Sequence, residues 1–579
     1  MFKIKKDKIY VIILAVISLI LLVRCFFGFQ QSDESFYMSL VHRLYLGDKL
    51  VSDEWHPTQF YSVILLPFYF VYRLIIKDGT GVILYFRILM TALSVFTGFL
   101  TYRSIRKLEI NEFFSFTAAF TITVFCKSNI LGPSYNNLCV CFMVLALLVM
   151  TGDDYNNKKT KQILSGFLIS LSVLCMPYLG AIVILYTVFS LFLSIRKKDR
   201  SVLYFIGGIM TTAIIYVILA FKLNDIRGII TNFEYIFKDP EHKKGFLHAF
   251  DNTLDSFKSF NNPYVLMTFL ILCLLLLIFA LAKKEMASKL LNSGWYLLLT
   301  IPALILTFYK GIRNPGYPSI ALCVWSLPIV ILFFVSDNRN LLKRQAGLFL
   351  FFGFSTVLCF AGGSDTRLNG TTNGFTITAL GIFVILGSIA KNQSDKKEDL
   401  TLIKKFIPSM CITILLLIML TQRIFIVVRD ADLNKLNTRI QSGPAAGLYT
   451  TENHCRQYRQ VLELIRKLNS EYEGKTVFYT KILPWAYLCS DNKYGAPTAW
   501  RLELSDSLLL NYYELHPDRI PDMVVILNED IGSYESCSFN RKKGNAKPNK
   551  NSFKGDFWDY LNSGEYEIME TDTATIYVR

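Results

Sequence analysis

Apolar residues fall along this chain in long blocks separated by short stretches rich in Lys and Arg, rather than alternating with charge. A run of about 20 mostly apolar residues lets a helix cross the hydrocarbon of a bilayer, and shorter runs are tolerated inside a bundle. By that measure helices are expected near 9–28, 80–102, 112–130, 138–151, 162–176, 177–195, 201–222, 264–282, 295–310, 318–335, 346–361, 374–390 and 406–428. That makes about thirteen spans, an all-α polytopic membrane bundle. After residue 428 the pattern changes: Thr476–Thr480 and Met523–Leu527 read as strands, Tyr458–Leu468 has a helical period, and Tyr566–Met569 with Ala574–Val578 reads as a hairpin. A tail of about 150 residues is enough for a small α/β core. The expected division is therefore 1–428, a membrane domain whose residues 29–79 form a large first outer loop, and 429–579, a soluble extracytoplasmic α/β domain.

Composition supports the class, with 52% hydrophobic and 18% charged residues among 579. The formal charge of +16 would suggest nucleic acid in a soluble protein. Here the basic residues sit between apolar blocks, where the positive-inside rule accounts for them, so no nucleic-acid partner is expected and the lipid bilayer is. The same rule sets the topology. Phe60–Ile76 is apolar enough to span, yet counting it would place nearly every later basic cluster, Arg103-Arg106-Lys107 and Arg196-Lys197-Lys198-Arg200 among them, on the outer side. Pro57–Ile76 is therefore read as a helix lying at the outer membrane face, with Arg73 and Lys77 at the headgroups. Ile9–Phe27, preceded by Lys3, Lys5, Lys6 and Lys8, reads as an uncleaved signal anchor starting in the cytoplasm. The outer side then receives 29–79, the turns near 128–137, 310–318 and 362–374, a longer loop 223–263, and the tail. Nine of the 12 cysteines lie in or beside apolar blocks; Cys455, Cys489 and Cys537 in the tail lack metal-ligand spacing and allow a single disulfide.

Just beyond the first span the chain reads Gln30-Gln-Ser-Asp33-Glu34-Ser-Phe-Tyr37, then an amphipathic segment, then Asp53-Glu54-Trp55-His56-Pro57-Thr58-Gln59. Adjacent carboxylates at a membrane surface must stay hydrated or have a task. Asp33-Glu34-Ser-Phe-Tyr37 resembles the Asp-Glu-x-x-Tyr motif of the GT-C superfamily of membrane glycosyltransferases, in the branch holding protein O-mannosyltransferases and lipid A aminoarabinose transferases. His56-Pro57-Thr58-Gln59 is similar to the His-Pro-Pro-Leu or Lys-Pro-Pro-Leu element opening that branch's second outer helix, with Thr58 in place of the second Pro. The resemblance covers residues 1–430 by architecture and about 30 residues by motif. It implies inverting transfer of a sugar from a polyprenyl-phosphate carrier to an extracytoplasmic glycan, lipid or protein at the cell membrane.

That chemistry fits the residue types. A hydroxyl acceptor needs a carboxylate to take its proton as the new bond forms, the role expected of Asp33, with Glu34 orienting the acceptor or a basic partner. Tyr37, His56 and Gln59 are expected to line the substrate site. A phosphate leaves without a proton donor when cations match its charge, which points to Lys310, Arg313 and Arg367 on outer turns. The turn Gly132-Pro-Ser-Tyr135-Asn136-Asn137 carries amides where metal-dependent relatives carry carboxylates, so a metal-independent enzyme without cofactor is expected.

Plainer readings stand beside these. Asp33 and Glu34 also suit a helix N-terminus capped by Ser32. Asp53–Glu54 suits a hydrated loop; Asp153–Asp154 suits a cytoplasmic loop. His242 and His248 suit the surface, and Lys310 and Arg313 suit headgroup contacts. A non-catalytic carrier or assembly factor for cell-surface polysaccharide is the rival function. Carriers of that kind show paired halves and Gly/Pro-broken helices with intramembrane charge; no such halves are visible in the sequence, and the charges concentrate on one face.

Overall fold

The computed structural model describes residues 6–579 apart from 152–157, 198–199, 224–225, 239–244, 294–297, 337–339, 365, 396–401, 481–482, 501–505 and 529–555. Asp153, Asp154, His242 and Cys537 lie outside the described residues. The structure is 73% helical. In chain order the first helices are α1 (Lys6–Arg24), α2 (Asp33–Tyr45), α3 (Ser62–Ile75), α4 (Val82–Lys107), α5 (Glu112–Val124), α6 (Tyr135–Val149), α7 (Lys159–Cys175), α8 (Leu179–Lys197), α9 (Ser201–Leu223) and α10 (Ile226–Asn232). Then come α11 (Phe246–Asn261), α12 (Pro263–Ala282), α13 (Lys284–Ser293), α14 (Thr300–Leu306), α15 (Tyr317–Trp325), α16 (Leu327–Ser336), α17 (Asn340–Gly363), α18 (Leu368–Asp395) and α19 (Leu402–Phe425).

Among the described residues seven helices, α4, α8, α9, α12, α17, α18 and α19, are long and apolar enough to cross a membrane, and α15 with α16, bent by 47°, adds an eighth if the pair is one span. They mark a membrane protein. Helices fill the remaining expected spans too, but several are short, such as α5 with 13 residues and α6 with 15. Both are buried on nearly every side, so protein rather than lipid surrounds them. Close crossings hold the bundle together. A Cβ on Gly374 would come within 2.5 Å of the Gly353 carbonyl oxygen, and Gly166 and Gly208 bring α7 and α9 together in the same way. Small residues of this kind allow backbones to touch where no hydrophobic drive separates protein from lipid.

The segments that the charge pattern assigns to one side gather at one end of the bundle. Asn369 Nδ2 bonds Ser128 Oγ at 2.9 Å, Asn373 Nδ2 bonds Asn136 Oδ1 at 2.8 Å, and Gln422 Nε2 reaches the carbonyls of Gly311, Ile312 and Asn314. At the other end Arg106 pairs with Asp7 and Glu112, and Lys391 with Glu109. The stretch expected as the loop 223–263 is instead largely helical, in α10 and the amphipathic α11. Helix α3 buries Val63, Leu65, Leu66, Tyr69 and Tyr72 and exposes Phe68, Phe70, Val71 and Leu74. Arg73 departs from its expected headgroup position: its side chain is 8% exposed and forks onto Asp491 at 2.9 and 3.0 Å.

Beyond α19 come β1 (Thr438–Arg439), β2 (Tyr449–Thr450), α20 (Glu452–Glu471), β3 (Thr476–Tyr479), β4 (Lys493–Tyr494), α21 (Asp506–Leu515), β5 (Met523–Leu527), α22 (Asp556–Leu561), β6 (Glu567–Glu570) and β7 (Ala574–Val578). Five strands form one sheet in the order β4-β3-β5-β7-β6, parallel across β4-β3-β5 and antiparallel across β5-β7-β6. Every residue of β3 and β5 is buried, which explains their unbroken apolar runs. Cys455 and Cys489 are free thiols. This region is stitched to the start of the first loop: Tyr449 N bonds Phe26 O at 2.7 Å, Gly28 N bonds Tyr449 O at 2.9 Å, and Phe29 N bonds Asp430 Oδ2 at 2.7 Å.

Candidate functional site

The two adjacent acids at the start of α2 meet different environments. Successive residues of a helix point about 100° apart, so one can be buried while its neighbour faces outward. Glu34 is 1% exposed and is gripped by Arg87 of α4, Nε to Oε1 at 2.8 Å and Nη2 to Oε2 at 2.5 Å. Arg87 also bonds the carbonyls of Cys25 and Phe27, and Gly132 leaves room for the Glu34 side chain, since a Cβ there would lie 3.0 Å from Oε1. Glu34 therefore orients a basic partner and locks the loop to the bundle. Its carboxylate is matched by the guanidinium and shut off from solvent.

Asp33 has a side chain 22% exposed. Its Oδ2 accepts from Gln30 Nε2 at 2.6 Å and Ser32 Oγ at 3.4 Å and pairs with Arg429 Nη1 at 3.1 Å. The plain reading of this pair holds in part: Ser32 occupies the N-cap position and both acids lie in the first turn of α2, but the Ser32 side chain makes no cap bond. A second basic residue lies on the turn after α5. Lys127 is buried, its Nζ bonds Ser128 Oγ at 3.3 Å, and burial pushes its ammonium down to about 7 against the opposing pull of Asp33. Behind them Arg423 donates to Asn129 Oδ1 at 3.0 Å, and its Nε is buried without a partner. A crevice lined by Arg24, Gln30, Glu34, Arg87, Asn129 and Val428 opens beside these groups.

Backbone strain concentrates here as well. Seven described non-glycine residues have left-handed backbone, among them Ser128 (φ 52°) and Asn129 (57°) beside Lys127, and Arg429 (55°), which pairs with Asp33. Asn tolerates this region, but Ser and Arg there cost roughly 1–2 kcal/mol each, a kind of strain that persists at functional sites.

The other expected site residues spread over this same end. Tyr37, one helical turn from Asp33, is buried against Tyr61 and Tyr135, with ring centroids 5.8 and 6.0 Å away; burial and then the neighbouring Tyr135 and Asp33 push its hydroxyl well above the usual range. His56 Nδ1 bonds Thr58 Oγ1 at 2.8 Å, and its ring meets Phe36 at 4.7 Å. Gln59 is fully buried and braces its own loop: Oε1 accepts from Val51 N at 2.6 Å and Nε2 bonds the carbonyls of Glu54 and His56, each at 2.9 Å. Lys310 is bonded to the Ser259 carbonyl, Arg313 is exposed on the turn held by Gln422, and Arg367 is exposed two residues from Asn369. These three cations occupy the rim, whereas Arg429 pairs with the acid. Sequence reasoning missed Lys127, Arg423 and Arg429; the available signal was a charge at or inside an apolar block. Among the described residues no three His, Cys, Asp or Glu side chains come together as a possible metal group. Asn137 instead braces its turn through the carbonyls of Ile130 and Gly132 and the Lys127 amide.

Asp53 and Glu54 prove to be buried ion-pair partners rather than a hydrated loop. Arg43 of α2, 1% exposed, bonds Asp48 Oδ2 at 2.5 Å, Glu54 Oε2 at 3.0 Å, the Asp53 carbonyl at 2.5 Å and the Tyr512 hydroxyl at 3.1 Å. Arg519 closes the ring onto Asp48 at 2.7 Å and Asp53 at 3.5 Å. Trp55 stacks on Tyr235 at 4.4 Å and donates to Asn232, which also contacts His516. Burial pushes Glu54 up to about 7 against the pull of Arg43, whose charge is shared with Asp48.

A scan against protein-family models finds none that matches the chain, and a search of curated proteins finds no match.

Proposed function

We propose that this chain is a multi-pass membrane glycosyltransferase of GT-C type that transfers a sugar from a polyprenyl-phosphate carrier to an extracytoplasmic acceptor, with inversion and with Asp33 as general base. The observation that carries the reading is a partly exposed carboxylate paired with Arg429, with the buried Lys127 on a nearby turn, beside a second acid already paired with Arg87. In the reaction the acceptor hydroxyl oxygen bonds the anomeric carbon as the carbon–phosphate oxygen bond breaks; its proton passes to Asp33 and the bonding pair leaves with the phosphate. Lys127 and Arg429 meet the phosphate charge, and Lys310, Arg313 and Arg367 guide the anion at the rim. Arg suits a bidentate phosphate contact.

The topology belongs to the same proposal: about thirteen spans, the N-terminus in the cytoplasm, and residues 429–579 outside with the Asp33 loop. Divalent metal has no assigned role, because Asn137 spends its amide on backbone bonds and Asn136 Oδ1 accepts from Asn373. The test is transfer or donor hydrolysis by purified protein with a panel of polyprenyl-phosphate sugars, wild type beside Asp33→Asn, with and without EDTA. Activity that survives EDTA and is lost in Asp33→Asn is expected. Inactivity on every donor, with an unchanged cell-surface glycan in an Asp33→Asn strain, would transfer the case to the non-catalytic carrier.

A further inference from the structure

Between the spans α9 and α12 the chain makes a short helical run with two unlike faces. Helix α10 begins three residues after α9 ends, and Phe233–Phe237 continues it as a tighter turn. Along one face lie Ile226, Ile230, Phe233 and Phe237, which are 55, 73, 53 and 64% exposed and follow the i, i+4, i+7, i+11 spacing of a helical stripe. The rings of Phe233 and Phe237 meet edge to face with centroids 5.3 Å apart, so this end of the stripe is one patch. Another face is docked. Asn232 and Ile236 are buried, Tyr235 stacks on Trp55, and Asn232 Oδ1 accepts from Trp55 Nε1 at 3.0 Å and lies 3.0 Å from His516 Nε2. Trp55 follows Asp53 and Glu54 of the Arg43–Arg519 ion network, so the run is joined both to the first loop and to the C-terminal sheet region.

Large apolar side chains held in water forgo the gain that burial brings, and four in a row on one face mark a surface meant to be covered. The setting supplies lipid. Helix α9, long and apolar enough to cross a membrane, exposes Ile214, Ile215, Val217 and Ile218 shortly before its end, so apolar exposure carries on from the last turns of a span into the stripe. Arg227 and Lys238, exposed near the two ends of the run, are basic side chains of the kind that settle among headgroups. An apolar stripe with basic ends and a docked second face suits the boundary between headgroups and acyl chains rather than the hydrocarbon centre.

We propose that Ile226–Phe237 is a seat on the bilayer surface: its stripe rests at the headgroup–acyl boundary, and its Asn232–Tyr235 face holds the Trp55 loop and the C-terminal sheet region at that level. The seat does not depend on the chemistry assigned to Asp33.

The test places the full chain in phosphatidylcholine nanodiscs that hold a photoreactive lipid, with its diazirine either near the headgroup end of the acyl chain or at mid-chain, and reads adducts by peptide mass spectrometry. The shallow probe is expected to mark Ile226, Ile230, Phe233 and Phe237 about as densely as Tyr264 and Met267, exposed at the start of α12, while the buried Asn232 and Ile236 stay clean. The mid-chain probe is expected to mark Leu272 and Leu275 of α12 and to mark the stripe several-fold less. Ile230→Ser with Phe233→Ser is expected to lose the shallow adducts and to speed deuterium uptake several-fold at residues 51–56, whereas Ile230→Leu with Phe233→Leu keeps the wild-type behaviour in both. Adducts on α12 with none on the stripe would overturn the seat; if the stripe then also resists hydroxyl radicals and the protein runs as a dimer, a second copy covers it. Mid-chain adducts on the stripe as dense as those on α12 would put the run in the hydrocarbon and overturn the seat as well. Lost adducts without faster exchange at 51–56 would overturn the hold on the Trp55 loop. The wild-type pattern decides the lipid contact even where the serine variant fails to fold.

Discussion

Glu34 and Asp33 are neighbours of the same chemical type, and the structure separates them by what their removal should cost. Glu34→Gln keeps the shape of the side chain and deletes its charge, leaving the Arg87 guanidinium, 2% exposed, without its counter-ion. Stranding one member of a buried pair costs about 3–5 kcal/mol. With about 2.1 cal/mol/K of unfolding entropy per residue over 579 residues, 4 kcal/mol lowers Tm by about 3 °C, and by more if a smaller unit melts cooperatively. Asp33→Asn breaks a pair whose side chains are 22% and 27% exposed, worth about 1 kcal/mol or less. Its Tm is expected to stay within about 1 °C of wild type. Replacing both buried partners by Leu is expected to recover most of the loss, because no charge is then stranded. Thermal melts of the four proteins in one detergent, followed by intrinsic fluorescence, give the comparison. If Glu34→Gln melts with wild type while Asp33→Asn drops by several degrees, the assignment of structure to one acid and chemistry to the other is wrong.

Arg43→Lys keeps a charge but loses the fork that reaches Asp48, Glu54 and the Asp53 carbonyl, and is expected to cost about 2–4 kcal/mol, seen as a lower Tm and faster tryptic cleavage in residues 47–56. Glu54 adds a pH dependence. Folded, it holds its proton to about pH 7, whereas the unfolded chain releases it near 4.5; its contribution is therefore full below 4.5 and is lost as pH rises through 7. Wild-type Tm should fall between pH 5 and pH 8 by more than that of Glu54→Gln, and parallel curves would refute the assignment. Gly374→Leu is expected to force α17 and α18 apart and abolish recovery of folded protein by size exclusion, whereas the same change at Gly207, where a Cβ meets nothing within 4 Å, should be silent.

Local pattern made the elements legible and left their partners hidden. The apolar blocks of α12 and α18, the strands β3 and β5 and the β6–β7 hairpin all lie where hydrophobic period placed them. Asp33 and Glu34, by contrast, look alike in sequence, and what distinguishes them is an arginine 53 positions away. Asp53 and Glu54 read as hydrated because nothing near them in the chain announces Arg519, which is brought in by the fold of the C-terminal sheet region. The rim cations were legible because they punctuate apolar blocks. Lys127 was absorbed into the end of an expected span, although α5 stops at Val124. Span number is blurred for a related reason: a short helix surrounded by protein needs neither the length nor the uniform apolarity that lipid demands.

The bonds from Phe29 to Asp430 and from the Arg24 guanidinium to the Ile424 carbonyl join positions 401 and 400 residues apart. A ribosome adding about 5–20 residues per second takes roughly 20–80 s to cover that separation. During this interval α2 and its acids have already left the ribosome, yet Arg429, Asp430 and the strand that pairs with Phe26 do not yet exist. The Asp33 loop must therefore wait, held by Arg87 and by early neighbours such as Tyr61 and Tyr135, until nearly three-quarters of the chain has been made. Completion of this end of the bundle is in effect a late checkpoint in biogenesis: a chain interrupted before residue 429 carries Asp33 without the arginine that pairs with it or the acid that anchors Phe29.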